Sequence, residues 1–221
     1  MNSLNILENG ILAAADSLQE LSNKENLRIL VLSDSHGAKD ILLQIIKKNL
    51  NDLDAIIFCG DGIYDFFSAI EAIKFDWHLK KNLPQVIAFV KGNNDPGHII
   101  TEKENAIEVP SKVLLKAGAR TILVTHGHSE GVYYDFSRLE ANAEIFGANA
   151  VLFGHTHVPS EFMGKTYLMN PGSISCPRHK SFPGFAILEI LGPNINSIFY
   201  RIESFSPLKI SPYFPEPFYG F

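Results

Sequence analysis

Short apolar runs, each ending in a loop of Gly, Asp, His or Asn, recur along the chain, and this rhythm most constrains the fold. Residues 28–33 (RILVLS) lead into DSHG, residues 54–59 (DAIIFC) into GDGIYD, and residues 85–90 (QVIAFV) into KGNND. Runs apolar on both sides are typical of strands buried on both faces of a sheet. In open α/β sheets, ligands bind beyond the carboxyl ends of such strands. We therefore expect an α/β core with its polar loops gathered at one edge.

The other segments are assigned from the same periodicities. Apolar residues at helical spacing predict helices, and β-rich runs between turn residues predict strands. These rules predict helices over 39–50 and around 136–146, a mixed segment with Phe66, Phe67, Ile70 and Ile73, a hairpin of 112–116 with 121–125, and strands at 150–153, 166–169, 185–191 and 197–202. The hairpin ends at HGH and the strand at 150–153 ends at GHTH, so both deliver histidines to loops.

The two ends of the chain differ from this central part. Leucine and isoleucine at mostly helical spacing over residues 4–21 predict an amphipathic helix that docks on the core or on a partner. Four prolines after residue 205 exclude a regular helix there. We expect a helical extension over 1–24, one central domain over 25–204, and a Pro- and aromatic-rich tail over 205–221. The tail's aromatic residues either cover their own domain or bury against a second subunit, which leaves a homo-oligomer open.

Composition excludes several classes of protein. A formal net charge of -5 disfavours long nucleic acid as the main partner, because surfaces that neutralise many phosphates are rich in Lys and Arg. The N-terminus carries no basic cluster, and no apolar run approaches membrane-spanning length, so we expect neither a signal peptide nor a membrane segment. Two distant cysteines form no CxxC pair, and a reducing cytoplasm fits them.

Five clusters of metal-ligating residue types follow predicted strands in order. Together they offer two Asp, one Asn and four His: Asp34, His36, Asp61, Asn93, His126, His155 and His157. Each cluster alone is weak evidence, because a single Asp often serves a turn or a helix cap. Imidazole with carboxylate and amide oxygen suits Mn, Fe, Co, Ni or Zn, and one carboxylate can bridge ions roughly 3.5–4 Å apart. The joint pattern therefore indicates a two-metal centre.

These residues carry a resemblance to a known family. D-x-H (34–36), GD (60–61), GN (92–93), a later histidine and G-H-x-H (154–157) resemble, in order, the motifs of the calcineurin-like metallophosphoesterase superfamily. NPGS at 170–173, followed by Pro177 and Arg178, is similar to a loop of its small bacterial and archaeal phosphodiesterases. The resemblance spans residues 28 to about 190. It implies a four-layer αββα sandwich of two mixed β-sheets and a metallophosphoesterase domain over 25–204.

The resemblance also implies roles for the ligands. Asp34, His36 and His157 would hold one divalent ion, Asn93, His126 and His155 would hold the other, and Asp61 would bridge them. The expected cofactor is two divalent ions per chain, Mn²⁺ first, with Ni²⁺, Co²⁺, Fe²⁺ or Zn²⁺ as alternatives. A hydroxide bridging the ions would attack phosphorus in line, and the expected substrate is a small phosphodiester. The alternatives are a phosphomonoesterase and a non-catalytic interaction scaffold, because a retromer subunit of the same fold works as one.

Position 94 departs from the family pattern. Many relatives place a histidine there, near the leaving group, whereas this chain has Asn94, which has no proton to give at neutral pH. We expect Asn94 to contact the substrate, and His128 or His98 to be available as a proton donor. Arg178 either meets a substrate phosphate through its planar fork or is solvated.

Other polar residues near the motifs also have two interpretations. His128 either supports the ligands or packs in its loop. Asp95 either orients a ligand or starts a turn. Asp65, His78 and His179 are expected to be surface polar residues.

Overall fold

The computed structural model describes residues 6–7, 9–100 and 106–216, and alternates strands with helices over most of that length. The strands are β1 (Ile6–Leu7), β2 (Ile11–Ala13), β3 (Asn26–Leu32), β4 (Ala55–Phe58), β5 (Val86–Phe89), β6 (His98–Ile100), β7 (Ala106–Glu108), β8 (Lys112–Ala117), β9 (Arg120–Thr125), β10 (Ala150–Leu152), β11 (Ser160–Met163), β12 (Tyr167–Asn170), β13 (Gly184–Leu191), β14 (Asn194–Phe205) and β15 (Leu208–Tyr213). The helices are α1 (Ala15–Asn23), α2 (Lys39–Asn49), α3 (Ile63–Phe75), α4 (Trp77–Lys80) and α5 (Ser137–Phe146).

Two mixed sheets form the centre of the molecule. The first has eight strands in the order β1-β2-β5-β4-β3-β13-β14-β15, and its β3, β4 and β5 are parallel. The second has five strands in the order β11-β12-β10-β9-β8, and its β9, β10 and β12 are parallel. A small hairpin pairs β6 with β7. Every residue of β4, β5 and β10 is buried, as expected for central strands covered on both faces.

Alternate residues of the strands face different layers, because successive side chains point to opposite sides of a sheet. Leu32 and Phe58 of the first sheet pack with residues of α2 and α3. Val31 and Ile57, one position earlier in each strand, pack between the two sheets with Leu152. On the outer face of the second sheet, residues of β9, β10 and β12 pack with α5. The order is helix, sheet, sheet, helix, which confirms the predicted four-layer αββα sandwich.

The predicted helix over residues 4–21 is wrong in its first half. β2 pairs antiparallel with β5 at the edge of the first sheet, β1 pairs with β2, and only α1 is helical. The reason lies at Asn9 and Gly10, whose φ angles of 74° and 79° make the tight turn between β1 and β2. An Asn-Gly pair is the strongest short signal for a hairpin. The docking prediction holds for α1, since Leu21 is buried between the sheets; Leu4 lies outside the described residues.

The tail predicted from residue 205 is part of the first sheet as far as Tyr213. β15 pairs antiparallel with β14 and forms the sheet edge, where Pro212 is tolerated because an edge strand can spare one amide donor. Tyr213 packs against the core between the sheets, which agrees with packing on its own domain, whereas Phe214 is 99 % exposed. Phe218, Tyr219 and Phe221 lie outside the described residues.

None of the helices in the described part of the chain combines the length and apolarity needed to cross a bilayer.

Candidate metal centre

The loops that follow five strands meet at one edge between the two sheets. Asp34 and His36 follow β3, Asp61 follows β4, and Asn93 follows β5, all in the first sheet. The second sheet supplies His126 after β9, and His155 and His157 after β10. The parallel strands of each sheet end on the same side, so residues far apart in sequence converge there.

One group of side chains lies around the carboxylate of Asp34. Its Oδ1 is 3.1 Å from Nε2 of His157 and 3.7 Å from Nε2 of His36, and the two imidazole nitrogens are 3.1 Å apart. Two ligand atoms that bind the same ion, each at about 2.0–2.1 Å from it, lie roughly 3–4 Å from each other. These three residues therefore have the spacing of one metal site.

A second group adjoins the first. Oδ2 of Asp61 is 3.5 Å from Nε2 of His126 and 3.8 Å from Nε2 of His36, and Nε2 of His126 is 3.9 Å from Oδ1 of Asp34. Asp34, Asp61 and His126 can thus hold an ion of their own. The carboxylate of Asp61 lies between histidines of both groups, which fits the predicted bridging position. Asp34 is also shared geometrically, which the sequence did not suggest.

The histidine rings are held in place by backbone carbonyls. Nδ1 of His126 is 2.7 Å from the Cys59 carbonyl oxygen, and Nδ1 of His157 is 2.6 Å from that of Cys176. A proton on each Nδ1 leaves the Nε2 lone pair for a metal ion, which is the usual way an outer partner orients a ligating imidazole. Nε2 of His126 and Oδ1 of Asp34 are buried and have no hydrogen-bond partner among the described residues. Buried polar atoms are rarely left so, and an ion between them would satisfy both.

Five of the predicted ligands have left-handed backbone. The φ angles are 54° for Asp34, 42° for His36, 58° for Asp61, 69° for His155 and 59° for His157. Such angles are costly for residues with a Cβ and occur mainly where surrounding structure enforces them, often at functional sites. The surrounding loops therefore hold these side chains in place at an energetic cost.

Two glycines of the motifs make room for the carboxylates. A Cβ at Gly92 would lie 2.0 Å from Oδ1 of Asp61, and a Cβ at Gly154 would lie 2.8 Å from Oδ2 of Asp34. A larger residue at Gly92 would collide with the Asp61 carboxylate, and one at Gly154 would collide with Ser33 Oγ at 2.1 Å as well as crowd the Asp34 carboxylate. The glycines of GN and GH are therefore needed for close approach to the ligands.

Burial and mutual charge shift the pKa values of the ligands. Burial raises the pKa of Asp34, but the imidazoles around it, that of His157 first, bring it well below its usual range. The pKa of Asp61 falls to about 2, because His126 and Asn94 outweigh its burial. Against the effect of burial, the carboxylates raise the pKa values of His126 and His157. Burial and nearby His126 lower the pKa of His155 to about 4. Both carboxylates are ionised at neutral pH, as metal binding requires.

The other two predicted ligands lie beside these groups. His155 packs its ring on that of His126, with centroids 5.1 Å apart, and its backbone N–H donates to Oδ2 of Asp34 at 3.1 Å. Asn93 is exposed in the loop after β5. Their assignment as ligands stays a prediction. The side chain of Asn94 donates from Nδ2 to Oδ2 of Asp61 at 2.6 Å, so this residue touches the predicted bridging carboxylate directly.

Asp95 organises the loop that carries Asp61. Its Oδ2 accepts hydrogen bonds from the backbone N–H of Asp61 at 2.7 Å and of Gly92 at 2.9 Å. Its Oδ1 accepts from Gly62 and Ile63, both at 2.9 Å. Asp95 therefore orients the loop of the candidate ligand Asp61 and also bonds within its own turn, through Gly92, so both interpretations of Asp95 fit the structure.

Asp95→Asn should lower both stability and activity. In the variant, the NH₂ group of the new amide side chain would replace one carboxylate oxygen, and the two backbone N–H groups bonded to that oxygen would lose their acceptor. We therefore expect the free energy of unfolding to fall by about 1–3 kcal/mol. We expect kcat/KM at saturating metal to fall about 10–100-fold, the usual effect of losing a partner that orients a ligand. Urea unfolding and steady-state kinetics measure the two effects.

Asp76→Asn is the matched control, because Asp76 accepts from the N–H groups of His78 and Leu79 at the start of α4. It should cost stability and leave kcat/KM unchanged. Equal losses of activity in both variants would mean that Asp95 acts only through stability.

Further residues brace the loops, and sequence reasoning missed most of them. Asp65 accepts from Ser35 Oγ at 2.6 Å and from the Gly37 N–H at 2.8 Å, so its prediction as a surface polar residue is wrong. It lies in the first turn of α3, where it reaches the DSHG loop. In the NPGS segment, Asn170 donates to the Gly154 carbonyl at 2.7 Å, and Ser173 to the Asp34 carbonyl at 2.7 Å. These buried residues tie the ligand loops of the two sheets together.

Tyr133, His128 and Arg178 form one flank of the site. The Tyr133 hydroxyl donates to the His155 carbonyl at 2.8 Å, its ring lies 4.8 Å from that of His155, and it accepts a hydrogen bond from the Arg178 guanidinium. The ring of His128 lies 5.5 Å from that of His126. Arg178 is exposed beside the ligands, and sequence reasoning had no signal for Tyr133 as its partner. His98 is exposed on β6.

Two mixed sheets between helix layers, with acidic and imidazole side chains gathered at their shared edge, define an α/β sandwich with a candidate metal-binding centre. The sequence profile of the calcineurin-like phosphoesterase superfamily domain matches residues 27–192, about three quarters of the chain. The chain therefore belongs to the calcineurin-like phosphoesterase superfamily, a family of metal-binding hydrolases. This confirms the family resemblance carried by the motifs.

Relatives of the chain agree with this membership. A probable metallophosphoesterase of Bacillus subtilis, YsnB, is 33 % identical over 165 residues, 74 % of this chain and 85 % of the relative. A crystal structure of a predicted phosphoesterase from Streptococcus pneumoniae is 26 % identical, covers 86 % of this chain and 99 % of that chain, and has a TM-score of 0.60. Vps29 of Entamoeba histolytica, solved with Zn²⁺, shares the fold at 20 % identity and a TM-score of 0.59, covering 85 % of this chain and 98 % of that chain.

Proposed function

We propose that this protein is a metal-dependent phosphodiesterase acting on small phosphodiesters, with two divalent ions per chain and Mn²⁺ as the preferred ion. The observation that carries the proposal is the pair of adjoining groups, Asp34 with His36 and His157, and Asp34 with Asp61 and His126. Two ions, when bound there, would supply an activated water and neutralise charge developing on the phosphoryl oxygens. The two free cysteines fit a reducing cytoplasm as the place of action.

The chain's own residues would position the substrate around those ions. Asp61, between the two groups, is proposed as the shared ligand, and His155 and Asn93 as the remaining ligands of the second ion. Arg178 is exposed at the flank and anchored to Tyr133, so its guanidinium is available to a phosphate oxygen. His128, beside His126, is proposed to contact the reacting group from the same flank.

The preference for diesters rests on Asn94. Its amide donates to Asp61 and cannot protonate a departing oxygen at neutral pH. A leaving group that departs without a proton must already be a weak base. The second ester group of a diester lowers the negative charge on the phosphoryl group, which makes the phosphorus easier for a hydroxide to attack. Diesters with acidic leaving groups should therefore be the better substrates.

A non-catalytic scaffold is the alternative, since Vps29, a vacuolar protein sorting protein, has the same fold. Fold alone does not decide function. Here all seven positions of the ligand pattern hold residues able to bind metal, and five of them are held in strained backbone. Such strain favours an active centre, because a scaffold would have no reason to keep it.

Hydrolysis of substrates with graded leaving-group pKa tests the proposal. With saturating Mn²⁺, we expect aryl phosphodiesters to be cleaved, log kcat/KM to fall steeply as the pKa of the leaving group rises, and alkyl monoesters to react poorly. If none of the four ions Mn²⁺, Ni²⁺, Co²⁺ and Zn²⁺ supports hydrolysis of these substrates, the non-catalytic scaffold is the better hypothesis.

Asn94→His should flatten that dependence. An imidazolium beside the leaving oxygen could donate a proton, and general acid catalysis contributes on the order of 10²–10⁴-fold when well positioned. We expect the largest gain on alkyl esters and monoesters. Asn94→Ala is the control, since it removes the contact with Asp61 without adding an acid. Parallel slopes for wild type and Asn94→His, with alkyl monoesters already cleaved well by wild type, would assign proton donation to another residue such as His128.

A further inference from the structure

Tyr133 contacts two residues of the candidate site that lie far from it in the sequence. Its hydroxyl donates a hydrogen bond to the His155 carbonyl at 2.8 Å, and the centres of the two rings are 4.8 Å apart. The same hydroxyl accepts a hydrogen bond from Nη1 of Arg178, whose guanidinium carbon is 5.8 Å from the centre of the Tyr133 ring. One side chain thus joins a candidate metal ligand to a candidate phosphate-binding residue.

The backbone that carries Tyr133 is firmly supported. Val132, the residue before it, is fully buried and packs with Leu139 of α5 and with Phe153 at the end of β10. Tyr133 itself is partly buried. The phenol ring is therefore fixed at its base by the layer between the second sheet and α5, and at its tip by the His155 carbonyl.

Arg178 is tied to the candidate site at both of its ends. Its backbone N–H donates to the His157 carbonyl at 3.2 Å, and its guanidinium donates to Tyr133 beside His155. The residue therefore spans the two histidines of the GHTH motif. Because Arg178 is exposed, the hydrogen bond to Tyr133 limits the positions that its long side chain can take.

Such a restraint matters for phosphate binding. Ordering a flexible side chain when a ligand binds weakens affinity by about two- to ten-fold. A guanidinium that is already hydrogen-bonded to Tyr133 has lost much of this freedom before the ligand arrives. Arginine has five N–H donors in a planar fork, so one bond to a phenol oxygen leaves others for phosphoryl oxygens.

We propose that Tyr133 is a positioning residue for the phosphodiesterase reaction. Its hydroxyl holds the Arg178 guanidinium where it meets a phosphoryl oxygen, and its ring holds the imidazole of His155. The inference rests on the proposed function and deepens it, because it names the residue that organises the phosphate contact. Tyr133 acts through Arg178 and His155 and not on the reacting atoms.

Tyr133→Phe isolates the role of the hydroxyl, because it removes that group and keeps the ring. With Mn²⁺-loaded protein and an aryl diester, we expect KM to rise about two- to ten-fold with kcat nearly unchanged, the result of losing an interaction equal in ground state and transition state. The dissociation constant of inorganic phosphate, measured by titration calorimetry, should rise by the same factor. Elemental analysis should find as much bound Mn²⁺ as in wild type.

Tyr133→Ala tests the role of the ring. It should weaken phosphate binding as Tyr133→Phe does and should also lower the affinity for Mn²⁺ about 10-fold or more, because His155 loses the partner that orients it. Tyr134→Phe is the matched control, since Tyr134 is the next residue and is 83 % exposed. It should leave KM, phosphate affinity and bound Mn²⁺ unchanged.

A double-mutant cycle shows whether the hydroxyl acts through Arg178. In the Arg178→Ala background, Tyr133→Phe should have no further effect on phosphate binding, because the two residues act as one unit. A full effect in that background, or phosphate binding as tight in Tyr133→Phe as in wild type, would overturn the proposal. Unchanged affinity for Mn²⁺ in Tyr133→Ala would overturn its part concerning His155.

The binding measurements also separate this proposal from the proposed activity. If no diester is hydrolysed but phosphate binds the Mn²⁺-loaded protein in a way that depends on Tyr133 and Arg178, the positioning role stands and only the activity is rejected. If hydrolysis occurs and Tyr133→Phe changes neither KM nor phosphate affinity, the activity stands and the positioning role is rejected. A wild-type protein that neither hydrolyses diesters nor binds phosphate rejects both.

Discussion

Asp61→Asn is expected to remove bound metal and to lower kcat/KM at least about 10³-fold. The Oδ2 atom of Asp61 lies between His126 and His36, one from each group of candidate ligands, so the loss of its charge weakens both sites together. Each ion supplies several kcal/mol of stabilisation to the reacting charge, and each 1.36 kcal/mol is a factor of ten in rate. Elemental analysis after dialysis and steady-state kinetics with an aryl diester are the measurements.

Asp52→Asn provides the control, because Asp52 is exposed and lies away from the ligand loops. It should retain metal and activity. Circular dichroism of Asp61→Asn should match that of wild type, since Asn keeps the size of the side chain and Asp95 still holds the backbone of the loop. Two tightly bound ions and near-native turnover in Asp61→Asn would show that Asp61 does not bridge; Asp34, also shared by both groups, would then be the residue to mutate.

Removal of metal should abolish hydrolysis completely and reversibly. The proposed attacking water has no side-chain base of its own, so the ions are its sole means of activation. After treatment with a chelator we expect activity at the background rate, with Mn²⁺, Ni²⁺, Co²⁺, Fe²⁺ or Zn²⁺ restoring it better than Mg²⁺, because imidazole is a poor ligand for Mg²⁺. Titration of the chelated protein should reach full activity near two ions per chain.

The structure also predicts a change in stability on metal removal. Oδ1 of Asp34 and Nε2 of His126 are buried without a hydrogen-bond partner in the part of the chain that the structure describes, and an ion that binds only the folded protein stabilises it. The melting temperature should therefore rise as Mn²⁺ is added back, and the Asp61→Asn variant should respond less. Full activity in excess chelator, with no metal found by elemental analysis, would contradict the proposed chemistry.

Much of the fold follows from the sequence because periodicity reports burial directly. The apolar runs that become β3, β4 and β5 are buried on both faces, so they read as strands without knowledge of their neighbours. The hairpin of β8 and β9 is predicted by the turn-like residues 117–119 between two strand-like runs, and it is confirmed. The helix predicted over residues 4–21 is wrong in its first half because the Asn-Gly turn at residues 9–10 favours a hairpin over the helix that the apolar spacing indicates.

β11 and β15 were missed for a different reason. Both are only partly buried edge strands, so their apolar pattern is faint. Their place is decided by hairpin pairing with the neighbouring strands β12 and β14, because strand preference depends on such pairing more than on the residues of the strand itself.

The sequence by itself determined the family, the layer architecture and the identity of the candidate ligands, because the ligand types and their order after strands are local properties. Only the tertiary structure decided how these residues are held. The left-handed backbone of Asp34 and Asp61, the four hydrogen bonds of Asp95 and the role of Tyr133 all depend on segments distant in sequence. Contacts of this kind arise from packing, and packing is fixed by the whole chain at once.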